Sequence, residues 1–237
     1  LYGSNNYGDN HIKLIHGPPG TGKTYRLILE LKKILEINSR EKVLLCAPSN
    51  IGVINMYNRA LSMGVHGCLV LSSNKIPDNF KFPEKQGKEN IIFTTISMRF
   101  GSILNNVKFS TVILDEACQC QEAWTWGLLR SEVSKIILAG DPQQLPALVS
   151  DVGKQYKYER SLMSRLIELG VDSELLSIQR RMHPEIVDFS NNCFYQGKLS
   201  SDYQPFSMEL KLNPIEIINV PGQEQKVGTS FINVNEV

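Results

Sequence analysis

Residues 17–24 read Gly-Pro-Pro-Gly-Thr-Gly-Lys-Thr, with an apolar run before them and an apolar-periodic stretch after them. No other stretch constrains the fold as tightly. The spacing G-x-x-x-x-G-K-[ST] between a strand and a helix turns backbone N–H groups inward around an anion. The helix then aims the positive end of its dipole at the same anion. The sequence therefore predicts a buried strand over 12–16 and a helix over 23–37. That helix carries Leu27, Ile28, Leu31, Ile34 and Leu35 at helical spacing. Gly17, Pro18, Pro19, Gly20, Thr21 and Gly22 form the cradle, Lys23 reaches the β- and γ-phosphates, and the Thr24 hydroxyl holds Mg²⁺.

The rest of the chain repeats the alternation. "KVLLCAPSN", "GCLVLSS", "NIIFTTIS", "STVILDEA", "SKIILAGD", "ELLSIQ" and "IEIINV" read as strands. Helices are expected from near Ile51, over 159–169 and across "PEIVDFSNNCFYQ", with proline at the start of the last. Residues 74–90, rich in Lys, Asn and Pro, read as a surface loop. The strands are continuous apolar runs, which means a parallel sheet covered on both faces and an α/β fold. In such sheets function collects at the carboxyl ends of the strands. Polar residues do follow His16, Ala47, Phe93, Leu114 and Ala139. A boundary is expected near residue 175, because the chain up to there already makes one complete sheet.

A phosphate loop needs a carboxylate for its metal and a group to activate water. "VILDEA" offers both at one strand end: Asp115 for the metal and Glu116 for the water. The next strand runs into "GDPQQLP", a stiff loop in which a glutamine can bond a γ-phosphate oxygen and register its loss. These features alone leave many ATP-hydrolysing families open.

Composition narrows them little. A net charge of +1 does not announce a nucleic-acid binder, so any basic footprint is local. Five cysteines without paired metal spacing, and no secretory signal, point to reduced thiols inside a cell, and Cys118 and Cys120 to structural positions. No apolar run approaches membrane-spanning length. The chain begins at Leu1 rather than Met, and a piece of a longer protein is expected.

"GPPGTGKT", "APSN", "TTIS", "LDEA", "GDPQQLP", "QRRMHP", "FYQGKL" and "GTSFINVNE" stand in the order of the motifs of superfamily 1 helicases. The chain resembles the branch that includes the nonsense-mediated-decay helicase and the senataxin-like and Smubp-like proteins. The resemblance spans about residues 11–237. It implies two RecA-like domains, 1–175 and an incomplete 176–237, with ATP and Mg²⁺ in the cleft between them. It implies that Gln144 senses the γ-phosphate and that Arg181 reaches ATP from the second domain. Arg180 stands where many relatives carry an adenine-stacking tyrosine, and its guanidinium plane can stack on the base instead. Single-stranded DNA or RNA would cross the strand ends at Pro48, Ser49, Asn50, Thr94 and Thr95, with Asn55 a further candidate. Movement toward the 3′ end follows from the same resemblance, which identifies no protein partner; the intracellular location expected from the cysteines is cytoplasmic or nuclear.

His183 beside Pro184 reads as a structural hydrogen-bonder rather than a base. Trp124 and Trp126 can stack on bases, but helical tryptophans here read first as core or partner contacts. Two rival classes remain at this level. A phosphate-loop NTPase of another kind would hydrolyse ATP indifferently to single strands. A binding module would hold nucleotide or strand without turnover.

Overall fold

In the computed structural model, which describes residues 11–71, 90–101, 104–204, 213–228, 230–233 and 235, apolar runs form a seven-stranded parallel sheet. Its strands are β1 (Ile12–His16), β2 (Val43–Ala47), β3 (Cys68–Val70), β4 (Ile91–Thr95), β5 (Thr111–Leu114), β6 (Lys135–Gly140) and β7 (Ser173–Leu175). Their order is β3-β4-β2-β5-β6-β1-β7, so β1 lies between β6 and β7.

The continuous runs have a direct cause. Neighbouring residues of each strand point to opposite faces. Ile15, Leu45, Ile113 and Ile137 enter one core with Leu27, Leu31, Val53 and Met56. Leu14, Leu44, Val112 and Ile136 enter the other with Ile96, Leu128, Leu162 and Met163. Helices α1 (Lys23–Ile37) and α2 (Asn50–Ser62) cover the first face. Helices α3 (Ile96–Arg99), α4 (Glu122–Leu128) and α6 (Leu162–Glu168) cover the second. The short α5 (Asp151–Gln155) has no buried residue. Truncating one of the fully buried leucines, such as Leu45, costs about 2–5 kcal/mol in a core of this kind.

Caps set several boundaries. Ser49 Oγ accepts from the Gly52 N–H at 3.1 Å and starts α2 at Asn50. Ser161 Oγ accepts from the Ser164 N–H and delays α6 to Leu162, so the helix expected from 159 begins later. "ELLSIQ" is not one strand: β7 joins the large sheet, and β8 (Ile178–Gln179) pairs with β9 (Ser200–Ser201). Pro184 opens α7 (Pro184–Phe194), as expected. "IEIINV" forms no strand. Ile217 is 93% exposed there, and no sheet edge among the described residues takes the segment. The strands found instead are a hairpin, β10 (Glu224–Val227) with β11 (Ser230–Asn233). Apart from Asn90, the loop expected over 74–90 lies outside the described residues.

Candidate nucleotide site

β1 ends at His16, and the chain turns at once: the Gly17 N–H donates to the Gly140 carbonyl at 3.0 Å, tying the loop to the end of β6. The Thr21 hydroxyl and N–H both donate to the Pro18 carbonyl and close the turn. Gly20 and Gly22 sit at φ +75 and +86, a region that other residues enter only with strain. Gly22 caps α1 with no side chain, so the first N–H groups of the helix stay directed at the loop. Lys23 folds over Gly17 so closely that a Cβ there would lie 2.0 Å from its Cγ. Its Nζ donates to the Gly17 carbonyl at 2.9 Å and stands 3.7 Å from Glu116 Oε1.

The Thr24 hydroxyl donates to Asp115 Oδ2 at 2.7 Å. The two residues are 91 positions apart, and the β1–β6–β5 order brings them together. Burial pushes the Asp115 carboxyl up, and this outweighs Thr24, the Glu116 N–H and Lys23, which pull it down. Glu116 is also raised, by burial first, against the pull of Lys23 and with the push of Asp115 and Asp141. Glu116 itself has φ 51, which turns its side chain out of the line of β5. A hydroxyl in contact with a buried carboxylate, beside a second carboxylate, is an oxygen donor set short of positive charge. It fits a hard divalent cation such as Mg²⁺.

Asp141 follows β6 and is the polar hub of the cleft. Its carboxylate accepts from His16 Nε2 (3.0 Å), Tyr195 Oη (2.8 Å), Gln144 Nε2 (2.9 Å) and the Gln143 N–H (3.1 Å). Burial pushes it up, but these bonds together hold it below its ordinary value. The Gln144 side chain is thereby held on Asp141 rather than free in a turn.

From β7 the chain runs along the phosphate loop. The Leu176 N–H donates to the His16 carbonyl, and the Arg180 N–H to the Gly20 carbonyl. Gln179 is fully buried. Its Oε1 accepts from the N–H groups of Arg181 and Met182, and its Nε2 donates to the Met182 carbonyl. This amide shapes the turn that presents both arginines. A Cβ on Gly20 would lie 2.7 Å from Arg181 Cβ, so glycine is required for the approach. Arg180 pairs with Asp202 at 3.1 Å, while the Arg181 guanidinium has no partner among the described residues. Both arginines line a cleft of about 300 Å³ with Pro18, Gly20, Gly22, Lys23, Thr24 and Glu116. Arg59 of α2 and Tyr25 complete it.

Sequence reasoning did not single out Arg59, His16, Asp141, Gln179 or Tyr195. Asp141 lay within "GDPQQLP", three residues from the glutamine that drew attention. The others carry no local pattern.

The strand candidates divide. Pro48, Ser49 and Asn55 are exposed at the end of β2 and on α2, and Asn50 is half-buried. Thr94 and Thr95 are buried. The Thr94 hydroxyl donates to the Val70 carbonyl, and Thr95 caps α3. The hydroxyl contacts expected of these two threonines are therefore already used within the protein, because β4 continues through both of them in the sheet interior. His183 is the N-cap of α7, accepting from the Glu185 N–H. Cys118 and Cys120 are buried. Trp124 and Trp126 are not core residues: they are 44% and 51% exposed, because α4 is only seven residues long and buries Thr125 and Leu128 instead.

The fold and cleft define a class of protein with a nucleotide-binding RecA-like core. A family described as AAA domain matches residues 4–77 and 85–151, and another of the same description matches 158–237. The chain belongs to this AAA-domain family, in its superfamily 1, Upf1-like helicase branch. Among its relatives, the DNA polymerase alpha-associated DNA helicase A of Saccharomyces cerevisiae is 29% identical over 272 residues, covering 82% of this chain and 40% of that protein. Regulator of nonsense transcripts 1 of Dictyostelium discoideum is 26% identical over 288 residues, covering 95% and 22%. Helicase SEN1 of Saccharomyces cerevisiae is 36% identical over 161 residues, covering 62% and 7%. The chain thus spans 40% or less of the length of these relatives. The fold matches that of an Arterivirus nonstructural protein 10 (helicase) solved with DNA. The TM-score is 0.61 at 16% identity, over 89% of this chain and 46% of that one.

Proposed function

We propose that the protein is an ATP-dependent helicase or translocase that hydrolyses Mg·ATP and moves on single-stranded DNA or RNA. The observation that carries this reading is that Lys23, Thr24, Glu116 and Arg181 line one cleft, with Asp115 bonded to Thr24 and Gln144 bonded to Asp141, so that four separate segments meet there. The relatives' names as helicases support it.

In this reading the loop N–H groups and Lys23 hold the β- and γ-phosphates, and Lys23 exchanges its bond to the Gly17 carbonyl for phosphate oxygen. Thr24 and Asp115 hold Mg²⁺, which when bound neutralises charge on the phosphate oxygens. Glu116 takes the proton of the attacking water as its oxygen bonds to the γ-phosphorus and the bond to the bridging oxygen breaks, releasing ADP. Arg181 supplies charge to the transferring phosphoryl group, its planar fork suiting two oxygens. Gln144 bonds the γ-phosphate and loses that bond when phosphate leaves. Arg180 is the candidate for stacking on adenine, which it would do by leaving Asp202.

Residues 176–237 are read as the start of a second RecA-like domain. Support comes from α7, which leaves Ile186, Phe189 and Phe194 exposed. Pro48, Ser49, Asn50 and Asn55 are the strand contacts, with Thr94 and Thr95 shaping the β4 end from inside. Among the described residues no helix is long and apolar enough to cross a membrane. An intracellular site of action fits a nucleic-acid substrate.

Displacement of a labelled oligonucleotide from duplexes with a 5′ or a 3′ single-stranded tail tests the reading. ATP-dependent release from the 5′-tailed duplex is expected, matching movement toward the 3′ end. Release from neither, with ATP hydrolysis intact, would contradict it.

A further inference from the structure

The side chains that line the nucleotide cleft are unequal in charge. Lys23, Arg59, Arg180 and Arg181 are cationic, against the single carboxylate of Glu116. Arg59 and Arg181 have no acidic partner among the described residues. Guanidinium groups left free in this way suit the oxygens of a polyphosphate.

For a base the cleft offers faces rather than edges. Tyr25 stands on the first turn of α1, about half exposed, and a Cβ on Gly22 would lie 3.9 Å from its Cβ. The Arg180 N–H donates to the Gly20 carbonyl at 3.0 Å. A phenol ring and a guanidinium plane thus flank one glycine turn, and both can lie on the π-face of a base. Asp202 does not hold Arg180 fast, since the two side chains are 52% and 57% exposed and such a pair is easily parted. Reading the edge of adenine takes a donor and an acceptor at fixed places, as a side-chain amide supplies. No Asn or Gln is among the described residues that line the cleft. A site that hydrogen-bonds one particular group rejects a substrate lacking it, whereas contact with a flat face discriminates little.

Resting on the reading of the cleft as a nucleoside triphosphate site, we propose that it selects its substrate by the triphosphate and not by the base. The base lies between Tyr25 and Arg180, and GTP, CTP and UTP are substrates alongside ATP. Tyr25 is the platform: it adds affinity for every base and chooses none.

The test is displacement of ATP carrying a fluorescent methylanthraniloyl group on its ribose, in the presence of Mg²⁺. The competitors are ATP, GTP, CTP, UTP and tripolyphosphate, which is the same polyanion without base or sugar. The four nucleotides are expected to bind within about ten-fold of one another, the range that stacking differences span, and each to release phosphate. Tyr25→Ala should weaken all four by about five-fold or more and leave tripolyphosphate unchanged. Tyr25→Phe should recover most of the loss. A preference for one base beyond the ten-fold range overturns the proposal: for ATP, a group that reads adenine's edge is present; for GTP, a guanidinium meets the edge of the base and not its face. An equal loss for nucleotides and tripolyphosphate in Tyr25→Ala also overturns it, making Tyr25 a support of the phosphate loop. Binding of all four nucleotides without phosphate release from any upholds the base-indifferent site and removes the reading as an ATPase. Binding of neither nucleotide nor tripolyphosphate overturns both.

Discussion

The Tyr195 hydroxyl donates a 2.8 Å hydrogen bond to Asp141 Oδ2, the same oxygen that accepts from the Gln144 side chain at 2.9 Å. Tyr195 is buried at the end of α7, and Gln144 is half-buried in the loop after β6. One carboxylate oxygen therefore joins the region after β7 to the residue proposed to sense phosphate. Tyr195→Phe should destabilise the fold by only about 1 kcal/mol, because Asp141 keeps its bonds to His16, Gln144 and the Gln143 N–H. It should lower kcat for ATP while leaving KM near the wild-type value, since Gln144 loses part of its support but the phosphate loop does not. Urea denaturation and steady-state kinetics check both. A raised KM with unchanged kcat would place Tyr195 in nucleotide binding instead.

Lys23→Ala removes the cation that lies over Gly17 and faces Glu116. Turnover should fall on the order of 10²-fold or more, the scale of losing a main electrostatic stabiliser. The fold should persist, because the hydrophobic face of α1 is untouched. Wild-type turnover in this variant would reject the site.

Glu116→Gln and Asp115→Asn should separate two roles. The first leaves Thr24 in contact with Asp115, so Mg·ATP binding survives while turnover collapses. The second removes charge at the metal side and should weaken Mg²⁺-dependent nucleotide binding as well. Titration of a fluorescent ATP analogue with and without Mg²⁺ distinguishes them. An equal loss of ATP affinity in both variants would make Glu116 a metal or structural residue.

What the sequence revealed was what lies within one local pattern. The phosphate loop is legible because an anion fixes both glycine spacing and the lysine that follows. The strands of the large sheet are legible because burial on both faces leaves no polar alternation. The Asp141 hub is not, since its partners His16 and Tyr195 lie 125 and 54 residues away. Gln179 shapes the arginine turn by being buried, which one amide in a sequence does not advertise. Thr94 and Thr95 show the reverse: they sit in a strand-end position that suggests contacts, but the Thr94 hydroxyl bonds the Val70 carbonyl of β3 and the Thr95 hydroxyl bonds Ser97 and the Met98 N–H at the start of α3.

A pH effect follows from the ion pairs that join α1 to the sheet. Glu174 of β7 accepts two bonds from Arg26, at 2.7 and 2.9 Å, and Glu30 pairs with Arg26 and, at 3.1 Å, with Lys13. Burial pushes Glu30 up, but Arg26 and Lys13 hold it below its ordinary value of 4.5, and Glu174 behaves likewise. The folded protein therefore takes up these protons less readily than the unfolded chain. The stabilisation is complete above about pH 4.5 and is lost as pH falls through the lower folded values. Glu30→Gln should cost on the order of 1 kcal/mol near neutral pH and progressively less as pH falls below about 4.5. Thermal melts across that range check it, and a loss that grows toward low pH would contradict the assignment.

The central claim is that the cleft hydrolyses ATP in response to a single strand. Steady-state phosphate release by the protein at low salt, with and without poly(dT) and poly(U), tests it most directly. The account predicts Mg²⁺-dependent turnover that rises on adding at least one polymer and vanishes in Lys23→Ala. Turnover that requires Mg²⁺ and Lys23 but is unchanged by either polymer would contradict it, leaving an ATPase without a track.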